Sequence, residues 1–168
     1  MAQSTNSSTL LDKKIIGSLQ NARVALVYTE WNDAIVAVQL KGCRRIFKEF
    51  NVEEVLATAV PGSFELPFAC KIIQEHFSRK KKEEQPEAII AFGAVIRGGT
   101  PHFEYVCKAV TEGILQLNLS LPIPVIFGVL TLDHEQQAWE RLGGIHGHKG
   151  EEAALTALKM IHFCRTNQ

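Results

Sequence analysis

A three-layer α/β sandwich around a parallel four-stranded sheet is the fold predicted by these 168 residues, and three observations predict it. Four short runs rich in Val, Ile, Leu and Ala are apolar throughout rather than alternating, as strands covered on both faces must be. Each run is followed by a break and then by apolar residues three and four apart, so strands and helices alternate along the chain. The composition is that of a globular protein: 46% of residues are hydrophobic and 21% charged. The length suits a single domain over residues 1–168.

In chain order, the strands read as Val24–Tyr28, Val55–Val60, Ala88–Phe92 and Val125–Leu130. The helices read as Ala34–Phe50, Leu66–Phe77, Phe103–Leu119, Glu135–Leu142 and Glu151–Phe163. Right-handed crossovers between parallel strands then put helices on both faces of a flavodoxin-like sheet. Residues 1–21 form a polar N-terminal arm, rich in Ser and Thr over its first dozen positions, with a short apolar patch at Ile15 and Ile16. Between the second helix and third strand, Ser78-Arg-Lys-Lys-Lys-Glu-Glu-Gln-Pro86 reads first as a solvated helix end and loop, with lysines at the negative end of the helix dipole. A basic docking patch is the alternative. Cys43, Cys70, Cys107 and Cys164 lack any Cys-x-x-Cys spacing and fall within apolar helical patterns, so they read as buried, reduced thiols.

Charge excludes some partners. With 18 Lys+Arg against 18 Asp+Glu and no basic stripe, the chain has no electrostatic footprint for nucleic acid. Zero net charge also offers little repulsion between copies, which favours self-association. No apolar run approaches the roughly 18–20 residues that span a bilayer, and no basic-then-apolar leader opens the chain. The expectation is a cytoplasmic protein with no membrane partner.

Ligands of an open parallel sheet bind outside the carboxyl ends of its strands, so the loops there carry the functional reading. After the first strand comes Thr29-Glu30-Trp31-Asn32-Asp33; Trp31 is a core plug on the first reading and a flat surface for a planar ring on the second, beside a helix cap at Asn32 or Asp33. After the second comes Pro61-Gly62-Ser63-Phe64-Glu65. Pro-Gly makes a turn, Ser63 can cap the next helix and Glu65 can complement its dipole; equally, an aromatic, a hydroxyl and a carboxylate suit a polyhydroxylated ligand.

The third strand leads into Arg97-Gly98-Gly99-Thr100-Pro101-His102. The glycines permit positive φ and close approach to the backbone, while Thr100-Pro101 reads as N-cap and first helical residue. The helix N-terminus there is a phosphate seat, and His102 beside it is disfavoured as imidazolium, which leaves a neutral ring able to accept a proton. Gly99 stands where a P-loop needs Lys, so no nucleotide-triphosphate signature is present. Phe127 reads by default as a core strand aromatic. Arg141 can satisfy the carbonyls of its own helix end or fork onto a phosphate. The loop Gly143-Gly-Ile-His146-Gly-His148-Lys149 holds a His-x-His pair with no third ligand at metal spacing, so no metal site is assigned.

Four segments, Val60–Pro67, Gly93–Val106, Pro124–Thr131 and Gln137–Arg141, taken together resemble the 6,7-dimethyl-8-ribityllumazine synthase family over about residues 22–162. The resemblance implies a transferase that joins 5-amino-6-(D-ribitylamino)uracil to 3,4-dihydroxy-2-butanone 4-phosphate in the penultimate step of riboflavin synthesis, with no metal or cofactor. It implies that Trp31 stacks on the pyrimidine, that Ser63, Phe64 and Glu65 line the aminouracil and ribityl site, and that the backbone of Ala94, Val95 and Ile96 binds the same substrate. Gly99, Thr100 and Arg141 are implied to hold the phosphate, and His102 to transfer protons. Lys149 is implied to lie near the ribityl chain. Phe127 is implied to reach a neighbour's site, because family sites lie at subunit interfaces in pentamers or assemblies of pentamers. Riboflavin synthase is the implied protein partner, and the arm, through Ile15 and Ile16, is implied to add a strand to a neighbour's sheet.

The chain departs from the family pattern in three places. Trp31 replaces a common Phe, His148 replaces a frequent Asn, and the 79–86 stretch is longer than in many relatives. A non-catalytic flavin carrier on the same scaffold would not need His102, Thr100 and Arg141, and a shell protein would need none of the crevice; retention of all three favours the enzyme.

Overall fold

Strand β1 (Arg23–Thr29) lies between β2 (Glu53–Val60) and β3 (Ala88–Ile96), and β4 (Val125–Leu132) pairs with the far side of β3. All three pairings are parallel, in the order β2-β1-β3-β4. The computed structural model describes Leu19 and residues 21–167. The expected pairing of Ile15 and Ile16 with a neighbour's sheet lies outside these residues.

Period-two geometry explains the layers. Val24, Leu26, Ile90 and Phe92 face one side of the sheet, where α1 (Asp33–Phe50) and α5 (Lys149–Asn167) cover them with Val36, Leu40, Phe47, Ala154 and Leu158. Ala25, Val27, Ile89 and Ala91 face the other side, under Leu66 and Cys70 of α2 (Leu66–Phe77) and Val110 and Ile114 of α3 (His102–Ser120). β1 and the first seven residues of β3 are almost wholly buried, as their unbroken apolar runs require, whereas β2, at one edge, is mostly half-buried.

Several boundaries differ from the sequence reading, two of them near the carboxyl ends of β3 and β4. β3 continues to Ile96 rather than stopping at Phe92. The helix expected over Glu135–Leu142 shrinks to α4 (Gln136–Glu140), because the chain turns into a small hairpin, β5 (Leu142–Gly144) with β6 (Gly147–His148). Gly143 and Gly147 take positive φ there, 115° and 75°, which an L side chain resists. The lysine-rich segment is exposed over Ser78–Glu84, in keeping with its solvated reading. All four cysteines are free, but only Cys43 and Cys70 are buried; Cys107 and Cys164 are half-buried, since their helix positions turn toward the edge of each layer. Burial pushes the Cys43 thiol up and the Cys70 thiol up to about 12. Among the described residues, no helix is long and apolar enough to cross a membrane.

The seam between α1 and α5 is closely packed. A Cβ on Gly150 would lie 2.8 Å from the Gln39 carbonyl carbon and 2.9 Å from its Cα, so only glycine lets the helices approach this far. Fully buried Gln39 donates from Nε2 to the Gly128 carbonyl at 2.7 Å, and Arg45 pairs with buried Glu151 at 2.5 Å. At the amino ends of the strands, Arg165 donates Nε and Nη2 to Glu87 at 2.8 and 2.7 Å, and the Arg23 N–H reaches the same carboxylate at 3.2 Å.

Gly150→Ala should cost about 1–3 kcal/mol in urea unfolding, because backbone must move, whereas Gly98→Ala, with open space around it, should change stability by less than about 0.5 kcal/mol. Burial raises the Glu87 carboxyl, but hydrogen bonding and charge from Arg165 and the charge of Arg23 outweigh it and hold the group below its ordinary 4.5. The folded state thus binds this proton more weakly than the unfolded chain, so its stabilisation is present above pH 4.5 and is lost as pH falls through the folded value. Glu87→Gln should lower stability at pH 7 and shallow its decline below pH 4.5; parallel wild-type and variant curves would refute this.

Candidate functional site

The strand order reverses between β1 and β3, since the chain leaves β1 toward β2 and leaves β3 toward β4. The crevice of such a sheet opens at that point, outside the carboxyl ends. The β3–β1 ladder ends at Phe92↔Tyr28, whereas the β3–β4 ladder runs on to Ile96↔Leu132. Residues 93–96 therefore present their β1-facing side to the crevice, and Asn32 Nδ2 donates to the Ala94 carbonyl there at 2.8 Å. Asn32 stands at the N-cap position of α1 with φ 59°, yet its side chain makes no cap; it bridges to β3 instead.

Trp31 is 67% exposed in this chain, so the core-plug reading is corrected. Its N–H donates to the Pro61 carbonyl at 3.2 Å and its carbonyl accepts from Thr29 Oγ1 at 3.0 Å, which hold the residue beyond the buried strand end. The indole lies over Gly62, where a Cβ would come within 2.7 Å of Cε3. Ser63–Glu65 form a 3-10 turn ahead of α2. Buried Ser63 does not cap that helix, and its Oγ packs beside Gly93, 2.8 Å from where a Cβ would stand. Phe64 is exposed, and Glu65 Oε2 is buried with no hydrogen-bond partner. Such an orphaned acceptor costs free energy unless a donor arrives.

Beyond β3, Arg97–His102 are exposed. Neither Gly98 nor Gly99 has positive φ, so the expected use of glycine there is corrected; a Cβ on either would meet nothing within 4 Å. No neighbour inside the chain demands glycine at these two places. The cap falls one residue later than expected: Pro101 is the cap position and His102 the first residue of α3, which leaves Thr100 outside the cap. Sequence reasoning overlooked Arg97. Its N–H donates to the Leu132 carbonyl at 2.8 Å, its Nε donates to Asp133 at 2.8 Å, its Nη1 donates to Glu104, and its guanidinium lies 4.1 Å over the Phe103 ring. The Arg97 hydrogen bond holds the Glu104 carboxyl below its ordinary value. One side chain thus ties the start of α3 to the end of β4.

Arg141 follows α4 and donates Nη1 to the Gln137 carbonyl at 3.0 Å, satisfying a terminal carbonyl of its own helix. Phe127 is 41% exposed on the outer edge of β4, which corrects the core-aromatic default: among the described residues no strand lies beyond β4. Phe127 and Lys149 line one cleft of about 430 Å³ along β4 and α5, and Lys149 Nζ donates to Glu152 at 2.6 Å. None of Trp31, Ser63, Phe64, Glu65, Thr100 or His102 lines that cleft. The chain alone thus presents its candidate residues in two separate places. Of the histidine pair, His148 packs its ring on Gly42 of α1, and burial holds its imidazole below the ordinary value, with Glu151 opposing and Arg45 adding to the shift.

The family model of 6,7-dimethyl-8-ribityllumazine synthase matches residues 21–165. Proteins of that name include one from Parabacteroides distasonis, 40% identical over 165 residues, covering 97% of this chain and 99% of the relative. One from Christiangramia forsetii is 42% identical over 165 residues, with 97% and 95% covered. One from Bacteroides fragilis is 43% identical over 143 residues, with 84% and 95% covered. The matched span takes in the whole sheet and every loop of the crevice, and the chain belongs to the 6,7-dimethyl-8-ribityllumazine synthase family.

Proposed function

We propose that this transferase condenses 5-amino-6-(D-ribitylamino)uracil with 3,4-dihydroxy-2-butanone 4-phosphate at the β1/β3 crevice, releasing phosphate and water and giving 6,7-dimethyl-8-ribityllumazine. The observation that carries the placement is the open β1-facing side of residues 93–96, flanked by an exposed indole and an unpartnered buried carboxylate oxygen. A pyrimidinedione needs backbone donors and acceptors along its edge and a flat surface beneath it. Ala94, Val95 and Ile96 supply the first and Trp31 the second. Ser63, Phe64 and Glu65 line the same substrate, and Glu65 Oε2 takes a donor from its ribityl or amino groups.

The phosphate sits at Gly99 and Thr100, before the first turn of α3, where free N–H groups and the positive dipole end favour an anion. The open space around Gly98 and Gly99 suits this approach. Arg141 turns from its helix carbonyl to the phosphate. The amine attacks the ketone and one water leaves as the imine forms, phosphate is eliminated, and ring closure expels a second water. His102, the first residue of α3, moves the protons, and holding both substrates together supplies much of the rate.

Phe127 and Lys149 act across a subunit boundary, in line with their separate cleft. Exposed Phe64, Phe68 and Ile72 recur four residues apart on and beside α2, with Leu115 and Leu119 on α3, as faces buried between copies would. The reading is of a single domain with an N-terminal arm, assembled as a pentamer or a group of pentamers in the cytoplasm, with riboflavin synthase consuming its product.

Purified protein given both substrates should develop lumazine fluorescence; binding of the ribityl compound without turnover would point to a carrier instead. His102→Ala should slow turnover roughly 10- to 10⁴-fold with little loss of binding, and an unchanged rate would remove His102 from the mechanism. Arg141→Ala should weaken the butanone phosphate far more than the aminouracil, and equal losses would contradict its role.

A further inference from the structure

The β5–β6 hairpin joins Arg141, assigned to the phosphate, and Lys149, assigned across the subunit boundary. Arg141 immediately precedes β5 and Lys149 immediately follows β6, and the Lys149 N–H closes the base by donating to the Arg141 carbonyl at 2.8 Å. However the hairpin seats on the body of the protein, both cations follow it. Leu142 anchors β5 in a core cluster with Ile35 and Ala138, and the His146 N–H donates to the Glu140 carbonyl at 2.9 Å; β6 is seated through His148. His148 stands opposite Leu142 in the hairpin register, and its ring occupies a notch on α1 at Gly42. A Cβ on Gly42 would fall 2.5 Å from Nδ1 and 2.7 Å from Nε2, so any other residue would expel the ring.

The notch suits only one protonation state. Nδ1 is buried and has no hydrogen-bond partner, whereas an imidazolium needs an acceptor for each of its two N–H groups. The charged groups facing the ring are Glu151 and Glu152 on α5 and Arg45 on α1; Leu142-Gly143-Gly144 of β5 offers none. Glu151 is itself paired with Arg45 at 2.5 Å and Glu152 with Lys149 at 2.6 Å, which leaves little net negative charge to hold a cation. Burial therefore dominates.

We infer that His148 is a positioning residue: its uncharged ring, keyed into the Gly42 notch, fixes the hairpin that presents Arg141 and Lys149, and protonation frees the ring and weakens binding of the butanone phosphate. The inference rests on the assignment of Arg141 to the phosphate. It is tested by KM and kcat for the butanone phosphate from pH 7.5 to 5.0, with aminouracil saturating, for the wild type, His148→Asn and His148→Gln. The substrate phosphate titrates alike with all three proteins, so the readout is the wild-type KM divided by the variant KM at each pH. That ratio should rise roughly five- to tenfold on acidification while kcat follows one profile throughout. A constant ratio overturns the inference. Gly42→Ala should show a raised KM already at pH 7.5 without the added acid dependence; a wild-type KM in a variant with native near-ultraviolet circular dichroism also overturns it. If Gly42→Ala does not fold, the two His148 variants decide alone. Calorimetry with inorganic phosphate on the wild type and Arg141→Ala separates the two ideas. Phosphate binding lost in Arg141→Ala together with a flat KM ratio rejects only the role of His148, while phosphate binding indifferent to Arg141 rejects the site assignment beneath it.

Discussion

A mismatch of strand lengths underlies the site. β3 keeps pairing with β4 to Ile96, but loses β1 after Phe92, so its last residues expose one side of a strand that is otherwise fully bonded. Backbone groups left this way must find partners, and the crevice is where they can meet a ligand. The rest of the site is arranged around that opening. Asn32 takes one carbonyl and fixes the start of α1, Trp31 is held outside the core by its bond to Pro61, and Arg97 locks the loop beyond β3 to the end of β4. A β1 four residues longer would fill the gap and leave an ordinary sheet.

The interior of this fold was legible because two-sided burial leaves no freedom in residue type. Val24–Tyr28 and Ala88–Phe92 are apolar at every position but the tyrosine, and both lie in strands at the centre of the sheet. Strand ends were less legible: Gly93–Ile96 is as apolar as a core strand or a loop beneath a helix, and only the pairing with β4 shows which. The hairpin after Arg141 escaped notice because its strands are three and two residues long, too short for any periodicity. Exposure was misjudged for the two aromatics that matter most. Phe127 lies within an apolar run and Trp31 just past the end of one, between Glu30 and Asn32, and their placement outside the core depends on strand order and on bonds to distant loops. The residues of the site were named with the help of a family resemblance; Arg97 was passed over because a lone basic residue between apolar and glycine positions carries no local signal.

Small residues perform the complementary task along the α1–α5 seam. Gly150 admits the Gln39 backbone and Gly42 admits an imidazole, so the two helices meet at a distance that ordinary side chains would prevent. That closeness buries Gln39 and Glu151: Gly128 accepts from Gln39 Nε2 and Arg45 pairs with Glu151, while Gln39 Oε1 is buried without a partner. The seam is thus both a tight apolar contact and the floor on which the hairpin rests.

The Glu87 knot has a geometric corollary. One carboxylate receives bonds from Arg23, near the start of the described chain, and from Arg165, near its end. Both ends of the described chain therefore converge at the amino pole of the sheet, facing away from the candidate site at the carboxyl pole. A peptide or cargo domain grafted at Asn167 would leave from that remote pole, and a short linker from Asn167 to Asn21, in place of residues 1–20, would permit the backbone to be reopened elsewhere as a circular permutant.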